Sequence, residues 1–160
     1  MKVIKTSKSL FEIANGLDEA ICVTTNGIVK AGGLAVMGRG VAKQCADLFP
    51  ATQRLLGELL RTYGNKVFDL GVYETYTCDH QLVTYHVLTY PTKNDWHNMS
   101  DINLIIKSAN EVVRLADKVE LSKVYLPKVG CQNGGLSWYA EVCPAIEGIL
   151  DDRFIVVFRD

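Results

Sequence analysis

Apolar and polar positions follow two different periods along this chain. Short runs rich in Val, Ile, Tyr, Thr and Phe predict β-strands, whereas stretches in which apolar residues recur every three or four positions predict amphipathic helices. The predicted strands are Met1–Thr6, Glu19–Thr24, Lys66–Thr77, Gln81–Tyr90, Lys123–Pro127 and Arg153–Phe158. The predicted helices are a short one after Ser9, two with apolar faces over Val41–Phe49 and Leu55–Tyr63, a long one over Ile102–Ala116, and a last one carrying Trp138, Val142, Ile146 and Ile149.

Local signals place several ends of these elements. Ser9 and Glu12 have the spacing of a capping box, in which each side chain caps a backbone N–H of the first turn. Ser100 is the predicted N-cap of the long helix, and Pro91 is predicted to stop the strand before it. Pro144 suits the first turn of a helix, so the last regular helix is expected to begin there.

The order of these elements predicts the fold class. Strands that alternate with helices favour parallel pairing, and the exception is a hairpin around Cys78-Asp79-His80. We therefore predict an α/β fold, a three-layer α/β/α domain built on a mixed, mainly parallel sheet of about six strands. In such sheets ligands bind beyond the carboxyl ends of the strands.

Two glycine-rich loops follow predicted strands. The first loop lies within Thr24–Val41, which contains Gly27, Gly32, Gly33, Gly38 and Gly40. The second loop lies within Lys128–Trp138, with the sequence KVGCQNGGLSW. Glycine clusters of this kind favour positive φ angles or close approach of a ligand to the main chain, and a phosphate is a common ligand of that type. We expect the loops to form two walls of one cleft; the alternative is that the first loop is only a long surface turn.

Better-known phosphate motifs are not met. Gly38-Arg39-Gly40 begins a GxG, but Lys43 occupies the place of the third glycine of a dinucleotide fingerprint. The chain also lacks the GK[ST] sequence of a nucleoside-triphosphatase P-loop.

Composition narrows the class of protein. The 160 residues are 48% hydrophobic and 22% charged, which fits one globular domain over residues 1–160. The sequence has no apolar run of membrane-spanning length and no secretory signal, so a cytoplasmic protein without a membrane partner is expected. A net charge of -1 argues against broad nucleic-acid binding but leaves room for a local basic site.

The five cysteines predict neither disulfides nor a metal site. They lack the paired spacing of a disulfide framework or a zinc ribbon, and we expect reduced thiols. Cys78, Asp79 and His80 have no second ligand pair, so neither a metal nor a cofactor is expected.

Three blocks resemble a known family. AVMGRGVAKQ, YPTKNDW and LPKVGCQNGGLSW, in this order and spacing, resemble the macrodomains, which bind ADP-ribose. They are most similar to the DarG-like branch, which removes ADP-ribose from thymine bases in DNA. The resemblance extends over roughly residues 18 to 150.

The resemblance implies a set of ADP-ribose-binding residues. A segment at the end of a strand would lie against the distal ribose, the first loop would hold the diphosphate through main-chain N–H groups, and the second loop would wrap around both from the other side. The first two groups are Thr25, Asn26 and Gly27, and then Val36, Met37, Gly38, Arg39, Gly40 and Val41. The third group is Gly130, Cys131, Gln132, Asn133, Gly134 and Gly135.

Lys93 matches the catalytic lysine of that branch. A lysine whose proton is lost near neutral pH could attack or polarise the anomeric carbon of the ribose. Trp96 either stacks on the acceptor base or packs in the core, and His97 either contacts the acceptor or is a surface residue. Cys131 has no visible histidine partner, which favours a structural thiol over a nucleophile.

The chain departs from other macrodomains at two positions. Ser9 stands where many members have an aspartate that bonds the adenine amino group, and Gly134 stands where the deacylating members have an aspartate. Gly134 agrees with the DarG-like pattern and favours a nucleobase acceptor. DarG-like proteins continue beyond the macrodomain, whereas this sequence ends at Asp160, so a free-standing enzyme is expected.

We therefore expect an ADP-ribosyl glycohydrolase acting on a nucleobase, most plausibly thymidine in single-stranded DNA, as a monomer. Two alternatives stay open. One is hydrolysis of an ADP-ribosyl ester on protein or of ADP-ribose 1''-phosphate. The other is a binding module that recognises ADP-ribose without turnover.

Overall fold

A computed structural model describes residues 1–159. The strands are β1 Lys2–Lys5, β2 Glu19–Thr25, β3 Asp69–Tyr76, β4 Leu82–Pro91, β5 Lys123–Leu126 and β6 Phe154–Phe158. The helices are α1 Leu10–Ile13, α2 Gly40–Leu48, α3 Ala51–Tyr63, α4 Ile102–Lys118 and α5 Cys143–Ile146, the last preceded by a π-helical turn over Trp138–Val142. No helix within residues 1–159 is long and apolar enough to cross a membrane.

The six strands form one mixed sheet in the order β1-β6-β5-β2-β4-β3. All neighbouring pairs are parallel except β3 and β4, which form the predicted hairpin. The predicted α/β class and mainly parallel six-stranded sheet are confirmed. Strands β2 and β5 are direct neighbours although roughly a hundred residues separate them in the chain, because the parallel crossovers return each new strand to the same sheet.

Side chains that alternate along the strands divide the core into two layers. Ile21 and Val23 of β2 face α1, α2 and α3, whereas Ala20 and Cys22 face α4 and α5. This alternation is the period of two that a strand imposes on a sheet covered on both faces.

Two buried tyrosines of β4 tie the helical layers to the sheet. The Tyr85 hydroxyl donates a hydrogen bond to the carbonyl of Phe11 at 2.7 Å. The Tyr90 hydroxyl donates to the carbonyl of Ile105 in α4 at 2.9 Å. Each ring fills core volume while its polar end is satisfied, so neither tyrosine has an unpaired buried hydroxyl.

Several predicted element ends were wrong or incomplete. Asp101, not Ser100, caps α4, because its carboxylate accepts bonds from the N–H groups of Asn103 and Leu104. The capping box at α1 is only half formed. Ser9 caps Phe11 N–H, but the Glu12 carboxylate instead accepts from Cys78 N–H and joins α1 to the hairpin tip.

Two predicted proline positions can be compared with the structure. Strand β4 includes Pro91 as its last residue, opposite Thr25, and the Pro91 carbonyl accepts a bond from Ser108 Oγ. A proline is compatible with this position because the strand ends there. Pro144 lies in the first turn of α5, as expected.

Helix α3 also supports the first glycine loop. Gly57 is buried in α3, and a Cβ at this position would overlap the carbonyl oxygen of Gly33. The helix and the loop backbone can therefore approach this closely only if residue 57 is glycine.

We expect Gly57→Ala to destabilise the protein. The overlap is with backbone, so the overpacking cost should lie near the upper end of its usual range, about 3 kcal/mol. That cost outweighs the gain of about 1 kcal/mol that alanine brings to a helix interior. Denaturant unfolding measures the difference. Gly148→Ala is the control because nothing lies within 4 Å of its added Cβ. Equal stability of the two variants would contradict the tight contact.

Candidate ligand-binding cleft

A cleft of about 770 Å³ lies beyond the carboxyl ends of the parallel strands. The first loop, which follows β2, and the second loop, which follows β5, line it from two sides. The segment after β4 contributes Thr92, Lys93 and Trp96. Because β2 lies between β5 and β4 in the sheet, the three loops emerge side by side.

Asn26 braces the first loop from inside. Its Oδ1 accepts a hydrogen bond from Ile28 N–H at 3.0 Å, and its Nδ2 donates to the Val36 carbonyl at 3.2 Å. The amide group therefore joins the two ends of the loop. The Asn26 side chain therefore holds in place the loop that reaches the cleft at Gly38.

The first loop presents unpaired donors where it becomes a helix. Helix α2 begins at Gly40, whose φ of 56° is a left-handed value that favours glycine. Among the described residues, the N–H groups of Gly40, Val41 and Ala42 have no backbone acceptor. These are the unsatisfied donors of a helix N-terminus, and they lie at its positive end.

The second loop offers a matching set. The N–H groups of Gln132, Asn133 and Gly134 likewise have no backbone acceptor within residues 1–159. Gly130, with a φ of 76°, accepts a bond from Leu136 N–H and closes the base of the loop. Main-chain donors from both loops therefore converge on one cleft, an arrangement that suits an anion.

Ser100 holds the second loop against the β4 segment. Its N–H donates to the Gly134 carbonyl at 2.9 Å, and the next N–H, that of Asp101, donates to the Thr92 carbonyl. Gly134 packs so closely on Ser100 Oγ and the Gly130 carbonyl that a Cβ would overlap both. Sequence reasoning took Ser100 for a helix cap and missed this contact, because Gly134 lies 34 residues further along the chain.

Lys93 is half-buried at the meeting point of the loops. Its Nζ donates to the Asn133 carbonyl at 3.1 Å and to the Trp96 carbonyl at 3.4 Å. Burial, and then the positive charge of Arg39, lower the pKa of the Lys93 amine below its ordinary value. A lower pKa increases the neutral fraction of the amine at any pH near or below that pKa.

Asn65 positions the backbone of Lys93. Its Nδ2 donates to the Lys93 carbonyl at 2.9 Å and to Asn94 Oδ1 at 3.1 Å. Sequence reasoning did not find Asn65, since a polar residue after the C-cap glycine of α3 is what an ordinary turn would have. Gly27 packs on the Asn65 amide and donates its N–H to the Asn94 carbonyl, which links the first loop to the same turn.

Trp96 and His97 differ in their relation to the cleft. The Trp96 side chain lines the cleft and is 43% exposed, with the Arg39 guanidinium 5.6 Å from its ring centroid. His97 lies outside the lining, and its Nδ1 pairs with Asp95 Oδ1 at 2.7 Å. Trp96 is therefore a cleft residue rather than a core residue.

The charge of the cleft has one sign. Every charged side chain in its lining is cationic, whereas the whole protein has a net charge of -1. The set consists of Lys8, Arg39, Lys93, Lys128 and Arg159. No aspartate, glutamate or histidine lines the cleft within residues 1–159, and the same residues contain no cluster of three His, Cys, Asp or Glu that could hold a metal ion. The cleft is therefore suited to a polyanionic ligand.

Two curated relatives, both named DNA ADP-ribosyl glycohydrolase, are similar to this chain. The protein from Mycobacterium bovis is 25% identical over 105 residues, which are 66% of this chain and 29% of the relative. The protein from Thermus aquaticus is 24% identical over 137 residues, which are 82% of this chain and 36% of the relative. The chain thus spans about a third of the length of the curated relatives it matches. No protein-family model matches the chain.

Solved structures decide the fold family. The macrodomain of Mycobacterium tuberculosis DarG superposes with a TM-score of 0.70 and 22% identity, over 97% of this chain and 96% of that one. The chain has a macrodomain fold. Thermosipho africanus DarTG in complex with ADP-ribose superposes with a TM-score of 0.74 and 21% identity, over 99% of this chain and 42% of that one. The expected resemblance to DarG-like macrodomains is confirmed.

The macrodomain cleft contains most of the residues that were expected to bind a ligand. Those in its lining are Thr25, Asn26, Val36, Gly38, Arg39, Gly40, Val41, Lys93, Trp96, Gly130, Cys131, Gln132, Asn133 and Gly134. Those outside it are Gly27, Met37, Gly135 and His97. Met37 is buried in the core at 3% exposure, and Gly135 closes a turn with Gln132, so both support loops rather than face the cleft.

Ser9 and Cys131 are the remaining polar residues of interest in the macrodomain cleft. The Ser9 hydroxyl caps α1, so one of its hydrogen bonds is already used. The Cys131 thiol donates to the Val129 carbonyl, and burial raises the pKa of Cys131 to about 11. Both features favour a structural thiol.

Cys131 should react slowly with alkylating agents in the folded protein. With a pKa of about 11, on the order of 0.1% of the thiol is ionised at pH 8, against roughly 20% for an ordinary cysteine. Mass spectrometry after iodoacetamide treatment measures the rate at this site. The same protein in denaturant is the control, and unfolding should accelerate modification. Rapid alkylation of native Cys131 would instead indicate an activated thiolate.

Proposed function

We propose that this protein binds ADP-ribose in the cleft and hydrolyses the bond between ADP-ribose and an acceptor, with Lys93 as the catalytic group. The observation that carries the proposal is the chemistry of the lining. The Lys93 amine lies where the loops meet, with its pKa lowered by burial and by Arg39, and no carboxylate or imidazole lines the cleft within residues 1–159. General acid–base or nucleophilic work in this cleft would therefore fall to the amine.

The diphosphate would lie between the two loops. N–H groups of Gly40, Val41 and Ala42 would bind it from one side, and those of Gln132, Asn133 and Gly134 from the other. These donors cost no side-chain entropy, and the cationic lining adds attraction over a longer range. The distal ribose would then lie near Thr25, Asn26 and Lys93, and the adenosine toward Ser9 and Phe158.

Lys93 would act at the anomeric carbon of the distal ribose. The neutral amine donates its electron pair to C1'' while the bond from C1'' to the acceptor breaks, and the acceptor leaves with a proton given up by the new C1''–N ammonium. Water then attacks C1'', its oxygen bonds to that carbon, the C1''–N bond breaks, and the proton of the water returns to the nitrogen, which restores the amine and releases ADP-ribose. Because the neutral form is the reactive one, the rate should rise with pH through the pKa of Lys93 and then become constant. Since that pKa is lowered, the rate should become constant at a lower pH than it would for a lysine of ordinary pKa.

The acceptor we propose is a nucleobase, the thymine of thymidine in single-stranded DNA. Trp96 is exposed beside Lys93, and an exposed aromatic ring can stack on a base of any sequence. The names of the two curated relatives support a DNA substrate. A cationic cleft on a protein of net charge -1 fits local engagement of a modified base better than binding along an extended strand.

Lys93→Ala should retain ADP-ribose binding and lose turnover. Calorimetry with ADP-ribose measures the first, and release of ADP-ribose from an ADP-ribosylated thymidine oligonucleotide measures the second. The expected loss is at least about 100-fold, the usual range for a group that acts directly on the reacting bond. Lys43→Ala is the control, because Lys43 is exposed and paired with Asp47 on the surface of α2.

Matched substrates separate the alternatives. Equal turnover by the Lys93→Ala variant would remove Lys93 from the mechanism. Faster release from a glutamyl ester or from ADP-ribose 1''-phosphate would overturn the nucleobase acceptor. Tight binding without product from any of the three substrates would indicate a binding module.

Gly134→Ala should weaken ADP-ribose binding. The added Cβ overlaps Ser100 Oγ and the Gly130 carbonyl, so the loop must move and its donors lose their alignment. An overpacking cost of about 1–3 kcal/mol, if paid in the bound geometry, corresponds to a loss of affinity of roughly 5- to 150-fold. Gly32→Ala is the control, since its Cβ meets nothing within 4 Å. Unchanged affinity in both variants would argue against the second loop as a diphosphate site.

A further inference from the structure

Trp96 contacts two cationic side chains at one end of the cleft. Its ring faces the Arg39 guanidinium, with 5.6 Å between the guanidinium carbon and the ring centroid. Its main-chain carbonyl accepts a hydrogen bond from Lys93 Nζ at 3.4 Å. One residue therefore contacts both the guanidinium and the amine.

The Arg39 side chain does not cap the helix that it precedes. Arg39 is the N-cap residue of α2, yet its side chain makes no capping hydrogen bond. No carboxylate of residues 1–159 forms an ion pair with it. Its described side-chain contact is the indole ring of the segment that carries Lys93. A planar guanidinium is well suited to such a ring face.

The Lys93 amine is held from a second direction by the other glycine loop. Nζ donates to the Asn133 carbonyl at 3.1 Å, and a Cβ on Gly40, next to Arg39, would come within 3.2 Å of Asn133 Nδ2. The start of α2, the β4 segment and the second loop therefore meet around the amine. A change at Arg39 acts on this meeting point through Trp96.

We propose that Arg39 is a positioning residue for Lys93, which acts by holding Trp96 at the cleft and by placing a positive charge near the amine. This inference rests on the proposed catalytic function of Lys93. It assigns the Arg39 side chain a role distinct from that of the loop main chain. The guanidinium fixes the Trp96 carbonyl that orients the amine, and it disfavours the protonated form of that amine.

The charged groups around Lys93 determine whether loss of Arg39 raises or lowers the pKa of the amine. Arg39 acts from the start of α2, whereas Asp95 on the Lys93 segment is paired with His97, and Lys128 of the second loop lies 3.9 Å from the Phe158 ring centroid. Burial and Arg39 lower the pKa of Lys93. Loss of the guanidinium should therefore raise that pKa, and the rising limb of the pH–rate profile should move to higher pH.

The test is a direct titration of Lys93 in the free protein. Nuclear magnetic resonance of lysine labelled at Cε and Nζ follows each amine, and the signal lost in Lys93→Ala assigns Lys93. Arg39→Met removes the charge but keeps much of the volume, and the Lys93 midpoint should rise. Arg39→Lys retains the charge and should shift it less. Arg114→Met, an exposed arginine of α4, is the control and should leave it unchanged.

Activity and fluorescence supply independent readouts. In Arg39→Met the rate at a pH below the midpoint should fall by the same factor as the neutral fraction of Lys93, and raising the pH should restore part of it. Trp96 emission should change in Arg39→Met but not in Arg114→Met. If Lys93 titrates identically in both variants, the inference is wrong, whether or not the protein hydrolyses any substrate. If the midpoint rises in Arg39→Met but the wild-type protein hydrolyses no substrate, the positioning contact stands and the proposed function fails.

Discussion

The adjacency of β2 and β5 is the constraint on which the cleft depends. Parallel strands have their carboxyl ends at one edge of the sheet, so two neighbouring parallel strands must deliver the loops that follow them to the same place. Here both loops are rich in glycine, and both expose main-chain N–H groups that have no backbone acceptor in the part of the chain that the structure describes. The sheet therefore places the main-chain N–H groups of the two loops on either side of one cleft. Other contacts within the protein set the distance between the loops.

Those contacts are made by the main-chain N–H of Ser100 and by the side-chain amides of Asn65 and Asn26. Ser100 fixes the second loop, Asn65 fixes the backbone of Lys93, and Asn26 closes the first loop. These contacts hold the loops in place by bonds within the protein, whether or not the same residues also face the cleft. Main-chain N–H groups have no side-chain rotamer that could aim them at a ligand. Their positions therefore depend on the contacts that hold the loop backbone.

Features that depend on residues close together in the chain could be predicted from the sequence, whereas contacts between distant residues could not. Strands, helices and glycine loops depend on periods of two and 3.6 residues and on nearby breakers, and these were predicted with small errors at their ends. Ser100 was misassigned because two adjacent residues could both cap α4, and in the structure Asp101 is the cap while the Ser100 N–H donates to the Gly134 carbonyl. Asn65 and the single sign of the cleft charge were not predicted, since Lys8, Lys93 and Arg159 are brought together only by the sheet.

The unpaired N–H groups of Gln132 and Asn133 have a consequence for sequence variation. A main-chain donor is supplied by every residue except proline, so the side chains at these positions are free to change while the donors persist. The strict requirement falls instead on Gly134, which must lack a Cβ because Ser100 Oγ and the Gly130 carbonyl occupy that space. Homologues of this protein could therefore drift far apart in sequence and still present the same anion site, with the loss of one glycine more damaging than many substitutions around it.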